Sequence, residues 1–297
     1  MKKDKVLSIT GKVCFALINV ILFIYVLSLI VPIIWMIFTA FKSYPEYYEN
    51  AFWWPEKWYF ENFPNAFEKL KITVLKGKQM IQYDVFSMFF NSLLWAFGRS
   101  FVAVLEMVIC AYVIGRYRFK FCEALYAVGI FVMITPIIGA GPSAMVLRRA
   151  LGIYDNMFLM ILTTGSCAFS GFNFILLYGT FKNLPKSYEE AASIDGAGPW
   201  TILFKVMFPL MLPITTVIFI LSFLGNWNDY STFLIWLPSY PNLAYGVYQF
   251  QNDAVTYGAT INEVMAGFSI IMIPTMILYL ASNKLITSKF TVGGLKG

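Results

Sequence analysis

Residues 184–213 read LPKSYEEAASIDGAGPWTILFKVMFPLMLP and lie between two strongly apolar segments. Pro185 suits the first turn of a helix, where its missing N–H is no loss. Glu189 and Glu190 fall in the early turns, where negative charge complements the helix dipole. Ala191 and Ala192 keep that helix slim, and Gly196, Gly198 and Pro199 stop it. From Thr201 the apolar pattern resumes. The spacing therefore predicts a short helix with a small-residue surface, then a hinge glycine, then a second helix. Such a shape suits docking into a partner's groove. An ordinary loop between two membrane spans accounts for the same physics, so the wider sequence has to separate the two.

The composition sets the class. Of 297 residues, 59% are hydrophobic and 13% charged, against about 25% charged in soluble domains. Several apolar runs exceed the roughly 20 residues that a spanning helix needs, which makes the chain a polytopic all-α membrane protein. Its formal charge of +6 has its source in the segments read as cytosolic, where Lys2, Lys3, Lys5, Lys12, Arg116, Arg118, Lys120, Lys182, Lys186, Lys205, Lys284, Lys289 and Lys296 outnumber Asp4, Glu123, Glu189, Glu190 and Asp195. These cations flank apolar runs on one side, the positive-inside bias, and do not form a nucleic-acid patch. Both termini and the 184–213 segment are thereby placed in the cytosol. Four dispersed cysteines (Cys14, Cys110, Cys122, Cys167) suggest neither a disulfide framework nor a metal site. Histidine is absent, which removes the commonest general base and metal ligand and argues against an enzyme.

Taken in order, residues 1–12 are a basic cytosolic tail and 13–41 an uncleaved first span. Residues 42–84 form a long outer loop rich in aromatics (Phe52, Trp53, Trp54, Trp58), which favour the headgroup level. Residues 85–286 hold five further spans: 85–115, 125–147 (interrupted by Pro136 and by the GAGP at 139–142), 157–181, 206–225 and 264–286. Gly165, Ser166, Ser170, Gly171 and Gly179 give the fourth of the six spans small faces for close packing. Residues 287–297 close the chain in the cytosol. Arg99 and Glu106 sit inside the second span. They lie about 10 Å apart along its axis, so each is expected to face a partner helix or a wet cavity. The polar break GNWNDY at 225–230 interrupts an apolar region, and 231–237 is too short to span. Amides, a carboxylate and an indole suit sugar hydroxyls and faces; equally, Asn and Asp there can cap the end of a helix.

Several of these motifs resemble one family. Glu190-Ala191-Ala192, Asp195-Gly196-Ala197, Pro209 and Pro213 are similar to the EAA motif of ABC-importer permeases. Asn226-Trp227-Asn228-Asp229 resembles the Trp-Asn-Asp signature of carbohydrate permeases. FENFPNAF at 60–67, AYVIGRYRF at 111–119 and the terminal GGLKG resemble further positions of the MalG-like members. The resemblance implies a type I ABC importer permease fold with six transmembrane helices, working as one of two membrane subunits of a sugar importer. It implies that Glu189, Glu190, Ala191, Ala192, Ile194, Asp195, Gly196 and Ala197 form the coupling helix seated in a cytosolic ATPase. It also implies that Asn226, Trp227, Asn228 and Asp229 line the translocation path. The partners it implies are a second permease, an ATP-binding subunit dimer and an extracytoplasmic sugar-binding protein. No cofactor or metal is expected. The chain has no GxxxxGK[ST] loop, so it cannot bind ATP in that manner itself. A secondary transporter would explain broken helices and buried charges, but no inverted repeat is visible. An importer permease for a non-sugar solute is the nearer alternative.

Overall fold

The computed structural model describes residues 9–117, 119–135, 139–163, 168–254 and 256–293, with side chains for those from 11 to 281. In chain order the elements are α1 (Ile9–Ala40), α2 (Tyr44–Glu49), α3 (Asn62–Lys69), β1 (Ile72–Lys76), β2 (Gln79–Tyr83), α4 (Val85–Arg116), α5 (Lys120–Ile134) and α6 (Gly141–Ala150). They continue as α7 (Met157–Thr163), α8 (Phe172–Asn183), α9 (Ser187–Ile194), α10 (Pro199–Thr201), a π-helical segment (Ile202–Met207), α11 (Phe208–Trp227), α12 (Ser231–Ile235), α13 (Leu243–Asn252) and α14 (Ile261–Gly293). The chain divides into two compact units. The first joins Met1–Leu70 to Phe250–Ile273; the second joins Lys71–Gln249 to the chain from Pro274.

In the first unit, α1 is strongly apolar and exposed over most of its length, with Thr39 and Ala40 buried at its end. Its last turn leaves carbonyls without intrahelical partners, and side chains supply the donors. The Asn62 amide donates to the carbonyls of Ala40 (2.9 Å) and Lys42 (2.8 Å), and the Asn262 amide donates to Thr39 (2.9 Å). Ala40, Ala66 and Ala266 are fully buried around this point, their small side chains allowing close approach. The FENFPNAF stretch thus has a physical meaning: its asparagine caps α1 and its alanine fits beneath. Lys42 is buried too, its ammonium donating to the Asn50 carbonyl at 2.6 Å. Burial holds its pKa below the ordinary lysine value, with Glu46 partly offsetting. At the start of α14, Thr260 and Glu263 form a reciprocal capping box, and Lys69 pairs with Glu263 at 2.8 Å.

The second unit is built on α4, which packs against α8 and α11. Its buried residues Met88, Ser92, Trp95, Ala96, Arg99, Val104, Val108, Ala111 and Tyr112 recur at three- and four-residue spacing, one face of a helix. Phe86, Phe90, Leu94, Phe97 and Phe101 are exposed on the other face. Asp84 caps α4 by accepting from the hydroxyl (2.6 Å) and backbone N–H (2.9 Å) of Ser87. These hydrogen bonds hold its carboxyl below the usual range.

Several expectations are corrected. Residues 42–84 are not one loop but hold α2, α3 and an antiparallel hairpin in which Lys76 pairs with Gln79. Its two-residue turn puts Gly77 at φ 65°, the glycine-first arrangement that suits the twist of paired strands. Residues 157–181 form two helices rather than one. Gly171 stands at φ 92° before α8, and Phe169 lies so close to α5 that a Cβ on Gly129 would overlap its carbonyl oxygen. Within 125–147, α5 ends at Ile134 and α6 begins at Gly141. Pro136, Gly165, Ser166, Cys167, Arg118 and the tails 1–8 and 294–297 lie outside the described residues. Residues 238–262 contain α13. Among the described residues four helices are long and apolar enough to cross a membrane: Gly11–Ala40, Val85–Arg116, Pro199–Trp227 and Ile261–Ala281. At 15, 10, 7 and 12 residues, α5 to α8 are individually shorter.

Replacing Asn62 by Ala strands the carbonyls of Ala40 and Lys42, at about 1–3 kcal/mol for each buried group left unpaired. The melting temperature of the detergent-purified chain should fall clearly, whereas Asn65→Ala should leave it unchanged. Equal melting temperatures for Asn62→Ala and the unmodified chain would refute the capping role.

Candidate functional site

The α8–α9–α10 segment is where the sequence placed its docking device. Leu184 ends α8, and Pro185 lies just before α9 rather than inside it. The backbone of Lys186 is already helical, and its carbonyl accepts from Glu189 and Glu190. The helix has two faces. Glu189 and Ala192 turn inward and are half-buried, with Ala192 and Ala197 packing on the core of the second unit. Glu190, Ala191 and Asp195 are exposed, and Ile194 is 87% exposed. An isoleucine so open on an otherwise anchored helix is an apolar surface without an internal partner. Trp200 and Phe204, stacked at 6.0 Å, add exposed aromatic surface on the following helix.

Gly196 ends α9 at φ 81°. Its N–H donates to the Ser193 carbonyl (3.0 Å), and the Ala197 N–H donates to Ala192 (2.9 Å). This pair of bonds is the Schellman motif, and the contact of Ala197 with the same core as Ala192 is its usual hydrophobic accompaniment. The expected hinge glycine is therefore a left-handed residue, a conformation that costs a side chain roughly 1–2 kcal/mol. The chain then enters a π-helical turn in which Phe208 N–H reaches the Leu203 carbonyl. Pro209 follows immediately. In α geometry its ring would press on the Lys205 carbonyl, and a wider π turn gives it room.

Glu189 is held from behind by Arg116, the last residue of α4. Arg116 Nε lies 2.9 and 3.0 Å from the two carboxylate oxygens and Nη2 lies 2.6 Å from one of them. Nη1 donates to the carbonyls of Phe181 (3.2 Å) and Leu184 (2.8 Å) at the end of α8, the first of which also accepts from the Leu184 N–H. The guanidinium is 4% exposed and the carboxylate 22%. Reading the sequence counted Arg116 only among the inner cations, and Glu189 only as part of the docking surface. The position of an arginine on the last turn of a span, ahead of a Glu-Glu pair, was the available signal.

The second motif is divided. Asn226 donates to the Ser100 hydroxyl at 2.9 Å. Trp227 is buried, stacked on Phe223 (6.0 Å) and edge-on to Phe89 (5.6 Å), and donates to Thr275 at 3.1 Å. Asn228 is exposed and donates back to the Leu224 carbonyl of α11. Asp229 accepts from the Thr232 N–H (3.0 Å) and Ser231 hydroxyl (2.9 Å), starting α12, while its carbonyl accepts from Asn242. The Asn228 and Asp229 side chains thus bond to backbone groups at the end of α11 and the start of α12. Arg99 is buried and donates to the Ile161 carbonyl in the last turn of α7 (3.3 Å), a cation at a helix C-terminus. Glu106 is half-buried, and the ion pairs among the described residues are Lys69–Glu263 and Arg116–Glu189.

Residues 107–292 match the family described as binding-protein-dependent transport system inner membrane component, and the chain belongs to it. It is a membrane permease, not an enzyme. It is 27% identical over 285 residues to the diacetylchitobiose uptake system permease protein NgcG of Streptomyces coelicolor, covering 94% of this chain and 88% of that one. It is 28% identical to the galactooligosaccharides transport system permease protein GanQ of Bacillus subtilis, covering 74% and 77%. Its fold matches a chain of a bacterial ABC transporter that imports the acidic polysaccharide alginate, with a TM-score of 0.74 at 23% identity over 93% of this chain and 98% of that one. A structure of the bacterial alginate ABC transporter in complex with alginate pentasaccharide-bound periplasmic protein matches at a TM-score of 0.60.

Trp227→Ala should cost about 3–5 kcal/mol by emptying a buried aromatic site. Asn228→Ala, on an exposed cap, should cost no more than about 1–2 kcal/mol. Thermal unfolding of the two purified variants checks this. Equal loss in both would contradict the burial difference.

Proposed function

We propose that this chain is one of two membrane subunits of an ATP-driven importer for carbohydrates, oligosaccharides in particular. The observation that carries the reading is α9: fixed from behind by Arg116 and closed by Gly196, with Glu190, Ala191, Ile194 and Asp195 turned outward. A surface of that kind suits a groove in a cytosolic ATP-binding subunit. The sugar class is supported by the substrates in the names of the relatives. The further partners in this reading are a second permease and an extracytoplasmic sugar-binding protein. Six spans place both termini and α9 in the cytosol, and 42–84 outside. α5 and α6 together make the third span, and α7 and α8 the fourth. Broken helices of this sort persist in membranes where neighbouring protein or water shields the freed backbone groups. Asn226, Trp227, Asn228 and Asp229 stand at the outer end of the path. Asn228 meets the sugar there, while the other three hold the α11–α12 corner in shape.

Two measurements test this. Cysteine labelling from outside intact cells should reach a probe at Ser43 and miss one at Ser187; the reverse pattern would sink the topology. Gly196→Asp should leave the chain in the membrane but reduce co-purification of the ATP-binding subunits and abolish uptake of diacetylchitobiose or galactooligosaccharides. Normal assembly and normal uptake by Gly196→Asp would refute the docking role of α9.

A further inference from the structure

We propose that Arg116 is a positioning residue that makes α4 follow α9, so that force delivered to α9 reaches the spans through a side chain as well as through the main chain. This rests on the reading of α9 as the docking element. The main-chain route leaves α9 through Gly196, whose Cβ position has nothing within 4 Å, and continues through a π-helical turn. On that route the chain reverses at a residue with no side chain to link α9 to α4, and then passes a wide helix turn. The Arg116 route is short and stiff. One planar group holds both oxygens of Glu189 on α9 and the Phe181 and Leu184 carbonyls at the end of α8. A two-point contact from a guanidinium fork fixes the rotation of α9 about its own axis as well as its distance, which a lysine point charge cannot do. Arg116 is itself the end of α4, and α4 packs against both α8 and α11. Beside it lies a hollow of about 420 Å³ bordered by Gly115, Tyr117, Tyr126 and Lys186. That space lets the end of α4 shift without a steric collision.

The test uses the complete importer, with both permeases, ATP-binding subunits and binding protein, reconstituted in liposomes. Glu189→Gln keeps the shape and removes the charge; Arg116→Gln and Arg116→Lys remove the fork. Hydrolysis and uptake are both normalised to the ATP-binding subunits that each variant retains. Uptake of diacetylchitobiose or galactooligosaccharides per ATP should fall on the order of tenfold, within the usual range of a coupling free energy. The fall in Arg116→Lys should be intermediate. A second readout needs no sugar: spin labels at Val113 on α4 and Ser187 on α9 report whether the helices move together when ATP and vanadate are added. Their separation should stay fixed in the unmodified chain and change in Glu189→Gln. Unaltered uptake per ATP, or an unaltered separation in Glu189→Gln, would reduce Arg116 to a structural clamp and overturn the proposal. Failure of the unmodified importer to retain ATP-binding subunits would instead overturn the docking reading, and this inference with it.

Discussion

The ion pair between Arg116 and Glu189 joins three pieces of chain that would otherwise end in unpaired polar groups. α8 stops with the carbonyls of Phe181 and Leu184 facing Arg116, α9 begins with a carboxylate, and α4 finishes on the cation that meets both. A fully exposed pair contributes about 0–1 kcal/mol, whereas removing one partner of a buried pair costs about 3–5 kcal/mol. With the guanidinium enclosed and the carboxylate one-fifth open, this pair lies between those limits. It is strong enough to hold a two-turn helix in place yet does not outweigh the packing of α4 on α11. The docking helix therefore has an orientation of its own before any partner arrives.

From that anchor the rest follows by geometry. With Glu189 and Ala192 committed inward, helical spacing leaves Glu190, Ala191 and Ile194 outward. Gly196 then reverses the chain in a left-handed turn, so that Ala197 returns to the core beside Ala192. The π turn before Pro209 absorbs a proline that a regular helix would reject, and it delivers the chain into α11. α11 ends at the Asn-Trp-Asn-Asp corner, where Trp227 is buried and Asn228 is not. The docking helix and the polar corner thus flank one helical stretch, Pro199–Trp227, whose α11 packs against α4.

Much of this was legible in residue types. The docking helix, its glycine stop and the resumed apolar helix were readable from 184–213, because Gly and Pro punctuate strongly and the flanking runs are long. The helix-capping alternative for Asn228 and Asp229 was readable for the same reason: short polar side chains at a helix end have few other local uses. What escaped depends on distant residues. Nothing near Asn62 in sequence says that the carbonyls of α1 need a donor, and the arginine that closes α4 stands 73 residues ahead of the Glu189 it meets. The hairpin at 72–83 was hidden inside a stretch read as one outer loop, although Gly77-Lys78 between two strand-like runs was its signal. The break at Gly171 was missed because small residues serve helix packing and helix ending alike, and only the approach of Phe169 to Gly129 decides between them.

The account stands or falls on which face of α9 meets a partner. A photo-crosslinking residue at Ile194 in the assembled importer addresses this directly, with Ala192 as the inward comparison. The account predicts an efficient crosslink from position 194 to the ATP-binding subunit and none from position 192. Crosslinks from position 194 confined to lipid or to the second permease would contradict it.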